Sequence, residues 1–300
     1  DAIAMVQWGM AAGILVVLVR ALAAWHRLLV AALLVAGLVQ VAYALGQSIG
    51  YDPAWFGRQW RADMLPIGSI RNTHLLGVFL AVLTPLAPLW IAGMLLGGIL
   101  LTKSLLGVLA ASAGLIVRYR LWRRPRWLIP LGAVILGALS LHHGLGSGGP
   151  RLTAWWVGLG DLVGSPVFGW GLDGWTERIP GRYALVAGAR LDRLELHTLP
   201  THAHNELVQF LHAGGLVGAL IVAVWALHTR AMWRHPVYGG ALVAAAVTAL
   251  GSFPLHLAST ALPILVVYGL ATARPVVVPD PVVIRTDVAT EIRREAYRVA

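Results

Sequence analysis

The residue types best suited to chemistry gather in one short stretch, Thr201-His202-Ala203-His204-Asn205-Glu206, directly ahead of an apolar run. An imidazole with an ordinary pKa of about 6.5 can take or give a proton near neutral pH, so His204 is a candidate for proton transfer, and equally for an interfacial cap. His202-x-His204 with Glu206 or His197 also has the makings of a metal cluster. That spacing needs an extended backbone and no fourth ligand follows, so no metal site is expected. Arg71 and Arg151 stand where apolar runs end. A guanidinium there can grip a phosphate bidentately or snorkel to lipid headgroups. Arg58, Arg61, Arg178, Arg182, Arg190 and Arg193 could make the same contact. His142, His143 and His212 read as structural, and Pro254 and His256 are expected to line the same cavity as His204. With no cysteine, the chain has no thiol nucleophile, thiolate metal site or disulfide framework.

The elements that carry these residues are apolar helices. Apolar residues make up 58% of the 300 positions and charged residues 12%, where a soluble domain carries roughly 25% charged residues. Mean hydropathy is +0.74. Lipid is therefore the expected solvent for runs such as Gly13–Val19, Leu28–Leu45 and Leu216–Ala226. The net charge of +10 does not indicate nucleic acid. Arg118, Arg120, Arg123, Arg124 and Arg126 lie together without an acid between two apolar runs, the pattern of a short cytoplasmic loop, and His26–Arg27 and Arg230–His235 mark two more.

A ruler of about 20 apolar residues per crossing gives roughly nine spans. Ile3–Trp25 and Leu28–Gly46 come first, with Ser48–Asn72 outside. Thr73–Val117 must end inside, which three short crossings satisfy if they break at Pro85–Pro88 and at Lys103–Ser104. Trp127–His142 runs outward. The large external loop, 143–205, carries five arginines and five acids, with Gly144–Pro150 as a flexible lead-in. Leu207–Leu227, Gly239–Leu257 and Ala258–Ala273 complete the spans. The organisation is thus transmembrane helices over 1–142 with a short external loop at 48–72, the loop at 143–205, further transmembrane helices over 206–273 and a cytoplasmic tail at 274–300. The chain opens on Asp1 rather than Met, and this topology puts that end outside, so an odd number of helices is expected ahead of it. Six of the 13 tryptophans, Trp55, Trp60, Trp155, Trp156, Trp170 and Trp175, fall outside and are expected in an aromatic belt at the headgroups.

Four stretches in order then resemble one family. His204–Asn205 at the head of a helix, with Gly214-Gly215-Leu216-Val217-Gly218 after it, is similar to the His-Asn motif and Gly-Leu-x-Gly turn of the O-antigen ligase, O-antigen polymerase and protein O-oligosaccharyltransferase family. Gly68-Ser69-Ile70-Arg71-Asn72-Thr73-His74 is similar to that family's Gly-x-x-Asn-x-Asn/His segment. Pro150-Arg151-Leu152 with Trp155 resembles its Ser-Gly-Arg-x-x-x-Trp opening of the large loop, and Pro166-Val167-Phe168-Gly169-Trp170-Gly171 its Pro-x-x-Gly-x-Gly turn. The likeness spans roughly Gly68 to Gly218, half the chain. It departs at Asn72-Thr73-His74, where the family often has Asn-Pro-Asn, and at Gly149–Pro150, where Ser-Gly is common.

The resemblance implies an all-α, polytopic transmembrane helical bundle, GT-C-like, with one large periplasmic loop, in a bacterial cytoplasmic membrane. It implies metal-independent, cofactor-free, inverting transfer of a glycan from a polyprenyl-diphosphate donor to a hydroxyl of lipid A core, a polysaccharide or a protein. The lipid bilayer is a further partner; nucleic acid is not. On this view Arg71 and Arg151 bind the donor diphosphate, His204 takes the hydroxyl proton, and Asn205 orients His204 or a substrate. A transporter or flippase of a lipid-linked saccharide is the competing expectation. It requires charges deep within spans and two matching halves, whereas the polar residues here gather at one face.

Overall fold

A computed structural model describes residues 2–52, 65–123, 148–186, 202–230, 232, 235–252 and 254–273. Among these the secondary structure is entirely helical: α1 (Ala2–Ala21), α2 (His26–Ser48), α3 (Thr73–Leu83), α4 (Leu89–Leu101), α5 (Leu105–Tyr119), α6 (Gly148–Leu162), α7 (Gly174–Val186), α8 (Glu206–Thr229), α9 (Pro236–Ala249) and α10 (Ala258–Thr272). The all-α expectation holds. The expected span Trp127–His142, the tail at 274–300, and Trp55, Trp60, Arg58, Arg61, Arg190 and Arg193 lie outside the described residues.

Local chemistry sets the boundaries. Leu83 gives way to a 3-10 turn over Thr84–Leu86 because Pro85 and Pro88 cannot supply helical N–H groups, and α4 restarts after Pro88. Ser104 caps α5 by accepting from the Gly107 N–H at 3.2 Å. The breaks at Pro85–Pro88 and Lys103–Ser104 therefore fall where the sequence placed them. Two boundaries require correction. Gly148-Gly149-Pro150 is not a flexible lead-in but the first turn of α6, where proline is tolerated because its missing N–H has no helical partner. The span drawn over Gly239–Leu257 is α9, which begins at Pro236 and stops at Ala249. Residues 250–252 and 254–257, which follow it, are not helical.

The helices alternate in direction between two ends of the structure. A Cβ on Gly77, near the start of α3, would meet Ser104 and Thr102, so the start of α3, the end of α4 and the start of α5 share one end. At the other end, a Cβ on Gly114 of α5 would meet the Gly240 carbonyl of α9 at 2.7 Å and the Pro85 ring at 2.5 Å. The two glycines let α5 and α9 approach backbone to backbone, the small-residue contact by which apolar helices gain dispersion energy without water. Trp8 of α1 donates to the Leu255 carbonyl at 2.8 Å, and Val19 lies against Gly269, so α1 and α10 run parallel. The core between them is aliphatic, with Leu76, Leu80, Leu83, Leu95, Ile99 and Val267 fully buried.

Charge divides between the two ends. Among the described residues, Arg20, Arg27, Arg118, Arg120, Arg123 and Arg230 lie at the end holding Gly114 and Gly240, without an acid. Asp52, Asp161, Asp173, Glu177 and Glu206 all lie at or beyond the opposite end, with Arg71, Lys103 and Arg151. Among the described residues, two helices, Ala23–Ser48 and Glu206–Leu227, are long and apolar enough to cross a membrane. The apolar helices α3, α4, α5, α9 and α10 run 11 to 15 residues.

Candidate active site

The site is built on two helix starts of the same design. Asn205 is extended (φ −158°, ψ 111°) and its side-chain oxygen accepts from the Val208 N–H at 3.2 Å, which satisfies one of the orphan donors of α8. His204, immediately before it, holds φ +52°. At α3 the pattern repeats: Asn72 (φ −150°, ψ 120°) accepts from the Leu75 N–H at 3.0 Å, and Arg71 before it holds φ +63°. A left-handed residue that is not glycine is strained, and such strain concentrates at functional sites. Here the two strained residues, His204 and Arg71, stand at helix starts at the same end of the structure.

Arg151, near the start of α6, donates from Nη1 to the Gly251 carbonyl at 3.3 Å. That bond ties α6 to the connection between α9 and α10, and it leaves the guanidinium half-buried, where burial lowers its pKa from the ordinary value. Its charge reaches His204. Burial, the Arg151 charge and then His202 push the His204 imidazole down to about 4, so it is neutral at pH 7. Trp155, one turn along α6 from Arg151, donates to the Ala203 carbonyl, and the Ala203 N–H donates to Gln209 at 2.8 Å. The 202–205 segment is thus fixed from both sides.

Glu206 completes the group. Its Oε1 accepts from the Leu255 N–H at 3.0 Å and faces His256 Nδ1 at 3.3 Å, while the His256 and His202 rings lie 5.5 Å apart. The carboxylate hydrogen bond raises the His256 pKa against the opposing effect of burial, whereas burial and the charge of His256 lower that of His202. His256, expected on sequence to line the same cavity, does stand beside the 202–206 segment. The pairing with Glu206 had no sequence signal, because an acid just after an Asn cap is explained by the helix dipole alone. No group of three His, Asp or Glu side chains among the described residues is arranged to hold a metal ion.

A second cluster braces the first. Asp161, fully buried in α6, accepts from Arg178 Nε at 2.8 Å and from His212 Nε2 at 3.1 Å, and pairs with Arg182. Burial alone would raise its pKa, but the hydrogen bonds from Arg178 and His212 and the two guanidinium charges hold the carboxyl below its ordinary value. Arg178 and Arg182 are therefore engaged by Asp161, and His212 is structural. The aromatic-belt expectation is corrected for two residues: Trp175 is buried against His212, and Trp170 lies 3.4 Å beneath the Arg178 guanidinium. Amphipathic indoles in a folded loop gain more from packing and cation-π contact than from headgroups. Trp156 remains 77% exposed, as a headgroup-facing residue would be.

Just past His212, α8 breaks. Gly215 adopts φ +56° and ψ −145°, so the helix divides there. The Leu216 and Val217 N–H groups freed by the break donate to the Pro166 and Val167 carbonyls at 2.9 and 3.0 Å, and the Trp170 and Gly171 N–H groups donate to the His212 and Ala213 carbonyls at 2.9 Å. The Pro166–Gly171 and Gly214–Gly218 stretches, separate motifs in the sequence, are thus two halves of one clasp.

The structure brings Arg151, His204 and Asn205 together with His202, Glu206 and His256. Arg71 is at the same end but on a different turn, where the Ser69 N–H donates to Gln40 and the Ile67 and Gly68 N–H groups to Gln47. No protein-family model and no curated protein matches the chain.

Proposed function

We propose that this chain is a polytopic membrane glycosyltransferase of the O-antigen-ligase type, moving a glycan from a polyprenyl-diphosphate donor to a hydroxyl acceptor on the external side of a bacterial cytoplasmic membrane. The observation that carries the reading is the meeting of Arg151 and His204, a half-buried cation beside a neutral imidazole at one end of alternating apolar helices. The transfer makes two demands: a cation for the leaving diphosphate and an unprotonated group for the acceptor hydroxyl. Arg151 meets the first demand, with Arg71 approaching from the same end, and the imidazoles around Glu206 meet the second. The charge division supports the orientation, since arginines without acids belong on the cytoplasmic side. With that end inside, α1 to α5 and α8 to α10 alternate across the bilayer, and α6 and α7 lie outside.

The test uses purified full-length protein in liposomes, a polyprenyl-diphosphate glycan, and a panel of lipid, saccharide and peptide acceptors without added metal. Wild type transfers the glycan to one acceptor class, and Arg151→Ala and His204→Ala each lose about 10²-fold or more in rate while remaining folded. Movement of the intact donor across the bilayer with no acceptor modified replaces this reading with a flippase.

A further inference from the structure

We propose that the outer face of α6, with the turn that follows it, is seated on lipid of the outer leaflet and continues the bare face of α8 beyond the span itself. This rests on the membrane placement above and makes no demand on the transfer chemistry. It assigns a lipid contact to the helix that carries Arg151.

The two faces of α6 are unlike. Ala154, Val157 and Asp161 are buried, a Cβ on Gly158 would meet the Trp175 ring at 2.5 Å, and Asp161 holds Arg178 and His212, so this side is the one packed on the protein. Leu152, Trp156 and Leu159 recur at steps of four and three residues on the opposite side, where helical periodicity stacks them into one stripe. Val163 follows just past the last turn. All four are exposed, Val163 at 79%. Over 151–162 the remaining exposed residue is Gly160, so the outward face of these turns carries no polar side chain. A surface helix in water turns polar residues outward. The neighbouring α7 does so with Thr176 and Glu177.

What covers the stripe follows from what it adjoins. The turn after α6 exposes Val167 and Phe168, and the Pro166 and Val167 carbonyls accept from the Leu216 and Val217 N–H groups at the break in α8. Leu216, Leu220 and Ile221 then carry exposed apolar surface along a helix long and apolar enough to cross a membrane. Hydrogen bonds thus join the two apolar surfaces at the turn, and the medium that wets α8 continues onto Val167, Phe168 and the stripe. The side chains favour lipid over a second copy of the chain. Apolar helices meet through small residues that let backbones approach, as Gly114 and Gly240 do between α5 and α9. The stripe instead presents leucine, valine and an indole, the side chains of an interfacial helix buried in the headgroup and acyl boundary. Because Arg151 stands on the same helix, this seat fixes the depth of its guanidinium relative to the leaflet.

The experiment reads lipid contact directly. In the full chain, which has no native cysteine, single nitroxide labels are placed through Trp156→Cys, Val163→Cys, Leu220→Cys and Glu177→Cys, all exposed positions where the fold is retained. The protein is reconstituted in vesicles of phosphatidylethanolamine and phosphatidylglycerol. Collisions with oxygen, which partitions into lipid, are compared with collisions with a water-soluble nickel chelate. The labels replacing Trp156 and Val163 are expected to favour oxygen several-fold over the label replacing Glu177, and to approach the one replacing Leu220. Nickel contact at Trp156 and Val163 equal to that at Glu177, with Leu220 still in lipid, overturns the seat and leaves the transferase reading standing. Spin–spin broadening at either position that vanishes on dilution with unlabelled chain puts a second copy on the stripe, and exclusion of both reagents puts other protein there; each overturns the lipid seat. A water-like label at Leu220 removes the membrane reading, and this inference with it.

Discussion

Asp161 holds three partners from a position with no solvent, and what it does at the scale of one residue can be measured. Asp161→Ala strands His212 inside α8 and leaves Arg178 unpaired over Trp170. We expect it to lower stability by about 3 kcal/mol, less than for a fully enclosed ion pair because Arg178 and Arg182 are partly in water. Asp161→Asn, which keeps one acceptor, should lose less, and thermal unfolding in detergent ranks the two. The pH dependence has a definite sign. The Asp161 carboxyl is held below its ordinary value of 3.8, so its contribution is fully present above that value and is lost as pH falls through the lower folded pKa. His204 acts over a higher window. Its pKa falls from 6.5 unfolded to about 4 folded, so the unfolded chain takes up the proton first and stability declines as pH drops from 6.5 towards 4. His204→Gln should flatten that decline in unfolding temperature, and an unchanged slope would count against a buried neutral imidazole. The cap residues are a milder case: Asn72→Ala and Asn205→Ala each cost about 1 kcal/mol, with Asp restoring most of it.

At the scale of elements, the clasp between the 165–171 turn and the break in α8 has no room for a side chain. A Cβ on Gly215 would meet the Gly169 N and the Val167 O at 2.6 Å, and the left-handed φ adds strain of its own. Gly215→Ala is expected to destabilise by about 2–4 kcal/mol and to expose the Leu216 and Val217 amides to hydrogen exchange, whereas Gly214→Ala, which faces open space, should be nearly neutral. This contact also marks where sequence reasoning stops. The proline and polar breaks around α3, α4 and α5 were legible, because a missing N–H or a hydroxyl cap acts within a few residues. Leu207–Leu227 was legible as apolar, and the family resemblance marked a Gly-Leu-x-Gly turn within it, but what holds that turn open was not legible, since the partner carbonyls of Pro166 and Val167 are distant in the chain. The end of α9 at Ala249 was missed because hydropathy continues where helix does not. At the site, His204, Asn205 and Arg151 could be singled out from motif spacing. Asp161 and the Glu206–His256 pair could not, because their partners are distant in the chain and no local pattern distinguishes a paired acid from a solvated one.

For the whole molecule, the division of charge between two ends yields an orientation that the absence of cysteine makes simple to examine. Lys103→Cys places a lone thiol on an exposed turn at the site end, and Arg123→Cys one at the arginine-rich end. A membrane-impermeant maleimide is expected to label the first in intact cells and the second only after permeabilisation, and the reverse pattern would invert the proposed orientation. The shortness of the helices carries a mechanical consequence. At 11 to 15 residues, α3, α4, α5, α9 and α10 rise only about 17–23 Å, against a hydrocarbon thickness of about 30 Å. In the proposed membrane setting, lipid beside the exposed ones among them is expected to thin to meet their ends, while α2, at 23 residues, matches the unperturbed thickness. On the proposed membrane reading, the headgroup plane around these short helices is expected to lie lower, bringing a diphosphate anchored in it closer to the end that holds Arg151. If the proposed transfer holds, turnover should then fall as acyl chains lengthen, because a thicker bilayer holds a lipid-linked donor farther from the site.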